Sequence, residues 1–117
     1  MCRKATGGIA AAFVQLQREV IAWEREPDWY HSSPIARRGF CSACGTPLAF
    51  DFLNPGKDMD VTLGSFDDAA FFRPILHAGA ESAVDAWLDT RDLPRHYSAQ
   101  TEIVASRWRA AGQEAPE

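Results

Sequence analysis

Residues 40 to 48 read FCSACGTPL, a Cys-x-x-Cys with glycine directly behind it, and this stretch restricts the fold more than any other. Cys41 and Cys44 bracket two small residues, so both sulfurs can turn toward one ion. Gly45 can adopt the positive φ that frees backbone N–H groups to hydrogen-bond the thiolates. Strand-like sequence lies on both sides: IARRGFC leads in, and PLAFDFL at 47 to 53 alternates apolar and polar in part, as a half-buried strand does. Two other readings compete. The pair could be ordinary buried cysteines, or a redox pair of thioredoxin type, which no βαβ pattern here supports. The glycine and the flanking strands favour a metal knuckle. A closed structural zinc site needs four nitrogen or sulfur donors, however, and the only other cysteine is Cys2, far away at the N-terminus. Half a site is visible.

The remaining punctuation predicts more short strands. IAAAFVQL at 9 to 16, behind Thr6-Gly7-Gly8, reads as a buried strand, and EVIAW at 19 to 23 runs on toward a turn at Glu26-Pro27-Asp28. WYHSS at 29 to 33 is extended and stops at Pro34. Asn54-Pro55-Gly56 marks a turn, and MDVTLGSF at 59 to 66 sets Val61, Leu63 and Phe66 on one side of another strand. Asp67 is placed to cap a helical turn that Pro74 ends; PILHAG at 74 to 79 reads as a short strand or edge, and 81 to 88 as a short helix or strand. A helix is predicted over 101 to 111, capped by Thr101, with Ile103, Val104 and Trp108 on one face. This pattern predicts one mainly β domain with a short C-terminal helix.

Composition sets outer bounds. A chain of 117 residues with 46% hydrophobic residues can bury a core without disulfides. A net charge of -4 argues against a nucleic-acid partner, which needs a basic face. No apolar run approaches the roughly 20 residues that span a bilayer, and MCRKATGG lacks a signal peptide's apolar region, so a cytoplasmic protein is expected. In that reducing compartment a Cys-x-x-Cys is a metal or redox motif before it is a structural disulfide. Arg3 and Lys4 would favour the thiolate of Cys2, although on the residues alone a frayed terminus without a role is the better reading. His77 reads as a core histidine, and His31 and His96 as surface residues. Arg37-Arg38 reads as a solvated strand edge that could still meet an anionic substrate, and the tryptophans as core and rim.

Several stretches in fixed order carry a resemblance. CRKATGG at 2–8, YHSSPIARRGFCSACGTPLAF at 30–50, VTLGSFDDA at 61–69, the segment around His77 and WLDTRDLPRHY at 87–97 together resemble the glutathione-dependent formaldehyde-activating enzyme (GFA) family over nearly the whole chain. The resemblance implies a β-tent of short antiparallel strands carrying two zinc sites. One is structural and closed by four cysteines, and Cys41 and Cys44 match its later pair. The other is catalytic, built from a Cys-x-Cys-x-x-Cys run directly before Arg-Lys. Cys2 matches its last cysteine, which leaves Arg3 and Lys4 as candidate substrate-binding residues. Enzymes of the family are similar to carbon–sulfur lyases that join formaldehyde to the glutathione thiol or release it. Zinc would act there as a Lewis acid.

The chain departs from the family pattern ahead of Cys2, where the other cysteines should stand. Met1 is therefore expected to be internal to a longer chain, with the missing cysteines encoded upstream, and the domain to be an N-terminally truncated one. Zinc sites are expected to be incomplete or absent, and lyase activity on a glutathione–aldehyde adduct impaired. Exposed strand edges are expected to pair with another copy, giving a homodimer. The resemblance also implies a second function class, a non-catalytic zinc-binding or interaction module, because the family includes domains of eukaryotic chromosome- and microtubule-associated proteins. A β-domain without metal is the third. The expected partner is a small thiol such as glutathione, with no nucleic acid and no membrane.

Overall fold

The structure is a computed structural model that describes residues 2–116. The chain divides into two compact units, Met1–Val84 and Asp85–Glu117. The first holds every strand among the described residues: β1 (Phe13–Gln17), β2 (Asp28–Ser33), β3 (Ala36–Phe40), β4 (Pro47–Phe52) and β5 (Asp58–Thr62). They form one five-stranded sheet in the order β1-β5-β4-β3-β2. Every pairing is antiparallel. The mainly β architecture of short antiparallel strands with a short C-terminal helix is thus the one the turn spacing predicts.

Local chemistry explains the connections. Pro34 and Ile35 form the tight turn between β2 and β3, where proline's fixed φ suits a turn position and its missing N–H costs nothing. Asn54-Pro55-Gly56 falls between β4 and β5, as its turn chemistry requires. The first strand is shorter and later than 9 to 16, and it is an edge, not a buried strand: only Phe13–Gln17 pair, and none of its residues is fully buried. Residues 19 to 23 contribute to a 3-10 turn, Arg18–Val20, instead of extended chain. Strand β5 stops at Thr62 because a further 3-10 turn, Leu63–Ser65, follows at once. The Thr62 hydroxyl donates to the Pro47 carbonyl at 2.8 Å, so it accepts from the Ser65 hydroxyl at 2.5 Å, and this tie bends the chain off the sheet.

The sheet is tightest around Gly39. A Cβ there would stand 3.0 Å from Pro27 Cβ, 3.1 Å from the Trp29 ring and 3.3 Å from Ala49 Cβ. Trp29 and Ala49 are its register partners on β2 and β4, so neither can move without its strand. Gly39→Ala is expected to destabilise by about 1–3 kcal/mol, the cost of overpacking. A urea midpoint equal to that of the parent chain would show that Pro27 and Trp29 yield freely.

Beyond β5 the first unit has no further strand among the described residues, so PILHAG is irregular chain, and His77 is exposed, not a core residue. The turn at 69 to 71 has Asp68, not Asp67, at its N-cap, with no side-chain cap bond. Residues 81 to 88 form two 3-10 turns, Ala80–Ser82 and Asp85–Trp87. The tryptophans are half-buried or exposed; none is a core residue. In the second unit a helix runs over Glu102–Ala110. Thr101 is at its N-cap position but its hydroxyl donates to the Tyr97 carbonyl at 2.8 Å, so it makes no side-chain cap bond. Ala105 is the buried residue of that helix, and Ile103 is exposed because it lies off the face shared by Val104, Ala105 and Trp108.

Candidate functional site

The knuckle is the loop of the β3–β4 hairpin. Gly45 has a φ of 79°, a region a side chain rarely enters, and its N–H reaches the Cys41 carbonyl at 2.6 Å. The Cys41 N–H closes the loop on the Thr46 carbonyl at 2.9 Å. From the neighbouring strand, Asp28 Oδ2 accepts from the Ser42 N–H at 3.2 Å. Hydrogen bonds from the Ser42 hydroxyl and N–H hold the Asp28 carboxyl below its ordinary value.

Both sulfurs have hydrogen-bonding partners. Arg25 Nη2 donates to Cys41 Sγ at 3.4 Å, and the Thr46 hydroxyl lies 3.0 Å from Cys44 Sγ. The Cys44 thiol is held below its usual value, first by the Thr46 hydroxyl, then by the Thr46 N–H and the Cys41 thiol, with a smaller contribution from the Arg25 charge. Both thiols belong to the one hairpin loop, and the Cys41 thiol contributes to the lowering at Cys44. A third donor is lacking: among the described residues no three His, Cys, Asp or Glu side chains gather where a metal could be held.

Cys2 opens a short helix, α1 (Cys2–Thr6), and its Sγ accepts from Arg38 Nη2 at 3.4 Å. It is not gathered with Cys41 and Cys44. Arg3 and Lys4 diverge. Arg3 Nη1 donates to the Ser82 carbonyl at 3.0 Å, whereas Lys4 borders a cavity of about 500 Å³. That volume lies in the range of small-molecule sites. Phe13, Tyr30, Arg38 and Phe40 wall it from three strands, and Gly45 brings the knuckle to its edge.

Arg37 and Arg38 are not a solvated edge. They sit on β3, a strand flanked on both sides, and adjacent strand residues point to opposite faces. Arg37 packs over the Trp29 ring and, with Arg18, pairs with Asp51. Arg38 goes to the cavity face, lies over the Phe50 ring, and is 9% exposed. Sequence reading allowed that the pair could meet an anionic substrate but did not single out Arg38, and the signal available was this alternation, which sends two successive arginines to opposite faces.

A family model described as glutathione-dependent formaldehyde-activating enzyme matches residues 1–82. The chain belongs to that family. The match covers all three cysteines and every residue that walls the cavity, and it ends before WLDTRDLPRHY, a stretch the resemblance had included. No curated protein and no solved structure matches the chain. GFA membership relates it to glutathione and formaldehyde chemistry. No helix among the described residues is long and apolar enough to cross a membrane.

Proposed function

We propose that this GFA-family chain binds a glutathione–aldehyde adduct, or a related small thiol, in the cavity beside Cys2, with its carbon–sulfur lyase activity impaired. The observation that carries this reading is the cavity itself: about 500 Å³, walled by aromatic rings, with two cationic side chains and a thiol bonded to one of them. Zinc suits the knuckle by donor chemistry, since Cys41 and Cys44 supply two of the four sulfurs of a closed site. At Cys2 a catalytic zinc would need three protein ligands and one open position, and the described residues gather no such set. A zinc bound there would supply Lewis-acid polarisation. The residues present bind and orient the adduct: Lys4 and Arg38 supply charge, and the rings exclude water.

The same shortage of donors favours a second reading, a non-catalytic zinc-binding or interaction module on this fold. A reducing, cytoplasmic setting keeps the knuckle as thiols in both readings. A homodimer is also part of the proposal. It is supported by exposed apolar side chains in the first unit, including Ile75 at 91% and Phe71 at 76% exposure, and by the unpaired edges of β1 and β2.

Incubating the chain with glutathione and formaldehyde, followed by NMR, separates the readings. Glutathione is expected to perturb the Tyr30 and Phe40 ring signals, while adduct forms within about twofold of the spontaneous rate, since the described residues gather no three ligands for a catalytic metal. Adduct formation well above the spontaneous rate, and lost in Cys2→Ser, would show that a working lyase site exists. Absence of any glutathione binding would hand the case to the interaction module.

A further inference from the structure

Arg38 presents a problem that the fold does not solve. It is 9% exposed, its Nη2 donates to a sulfur, and its buried Nε has no partner at all. None of the ion pairs among the described residues involves it. Its neighbour Arg37 shows what this chain does with a structural arginine: Nε and Nη2 both bond Asp51, at 3.2 and 2.9 Å. A buried guanidinium without a counter-charge is costly, and an unsatisfied buried donor adds to the cost. The guanidinium also borders the cavity, so an anion entering there can supply the missing counter-charge, although the enclosed Nε stays out of its reach.

The wall fixes the charge and size of that ligand. Lys4 and Arg38 are its two cations, and no Asp or Glu lines it, although acidic residues outnumber basic ones by 16 to 12 in the chain. The ligand is therefore an anion. Phe13, Phe40, Pro47 and Ala49 make much of the remaining surface apolar, so the ligand also carries a carbon skeleton. A guanidinium offers adjacent N–H groups whose fork matches a carboxylate.

We infer that Arg38 is the carboxylate-binding residue of this cavity, and that the ligand is a small organic thiol or thioether acid whose carboxylate pairs with the cavity-facing end of the Arg38 guanidinium. Lys4 approaches the same anion as a point charge from α1. Because Nη2 of the same guanidinium holds Cys2 Sγ, the anchored acid lies beside the Cys2 thiol. Arg38 thus positions the ligand relative to that sulfur and takes no proton. The inference rests on the thiol-adduct reading for the sulfur of the ligand, and on Arg38 alone for its carboxylate.

The test uses S-methylglutathione, whose blocked sulfur cannot form an adduct, and its dimethyl ester, both titrated calorimetrically into the intact chain. The acid is expected to bind at least tenfold more tightly than the ester. Arg38→Gln should bring the acid-to-ester affinity ratio down to about one, and Arg38→Lys should restore only part of that ratio, since an ammonium lacks the fork. Equal binding of acid and ester by the parent chain overturns the Arg38 assignment and leaves the thiol reading standing; that comparison needs no variant to fold. Sulfate displacing the acid at equal concentration would make this a general anion site and overturn the carboxylate assignment. Binding of neither form overturns both readings.

Discussion

Asp51→Asn is expected to lower the stability of the chain by about 3 kcal/mol, in the range for a buried ion pair that loses one partner. Asp51 is 2% exposed and accepts from Arg18 Nη2 at 2.7 Å and Arg37 Nη2 at 2.9 Å. An asparagine of the same shape leaves two guanidiniums facing one neutral amide. Each keeps about a third of its exposure (32% and 31%), which lets water relieve part of the charge and holds the loss at the low end of the range. For a chain of this size that is a fall in Tm of roughly 10 °C. Burial alone would raise the Asp51 carboxyl, but the hydrogen bonds from Arg18 and Arg37, with their charges, outweigh it and hold the group below its ordinary value. The sign follows. A carboxyl with a depressed folded-state value stabilises the fold fully above its unfolded value of about 4, and that contribution disappears as pH falls through the folded value. The gap between parent and variant should therefore be full at pH 6 and narrow below about pH 4. Thermal melts across that range would refute the account if the gap stayed constant.

Asp51 also shows what could be read from the sequence and what could not. The strand around it was legible, because PLAFDFL alternates and Asn54-Pro55-Gly56 stops it. Its partners were not. Arg18 lies 33 residues away on the chain and reaches Asp51 only because β1 pairs with β5 and β5 with β4. The same holds at the cavity. Cys41 and Cys44 were visible as a pair because their spacing is local, whereas Cys2 meets Arg38 across 36 residues through a sheet face that no periodicity reveals. The misread segments have a common cause as well. Ile9 to Ala12 and PILHAG were assigned from apolar content, and apolar content here does not mean burial. Ile75 and Leu76, 91% and 69% exposed, carry the clearest helping of apolar surface with no partner in the first unit.

Zinc loading should expose the half-site directly. Purified with zinc and desalted, the chain is expected to retain at most one zinc per two chains, because Cys41 and Cys44 are two donors and a closed tetrahedral site takes four. The knuckle is ready for such sharing. It is the tip of a hairpin, Cys44 is exposed, and the Cys44 thiol is held below its usual value, first by the Thr46 hydroxyl. A second knuckle from another copy would bring the donor count to four sulfurs. Zinc content and assembly should then move together: Cys41→Ser or Cys44→Ser removes the bound zinc and shifts the mass measured by light scattering toward the monomer. Cys2→Ser should change neither, since Cys2 bonds Arg38 and is not gathered with the knuckle. One full equivalent of zinc on a monomer would mean that the loop recruits two more donors within its own chain. Loss of the zinc in Cys2→Ser would identify Cys2 as one of them, and the two cysteine positions would then belong to a single metal centre.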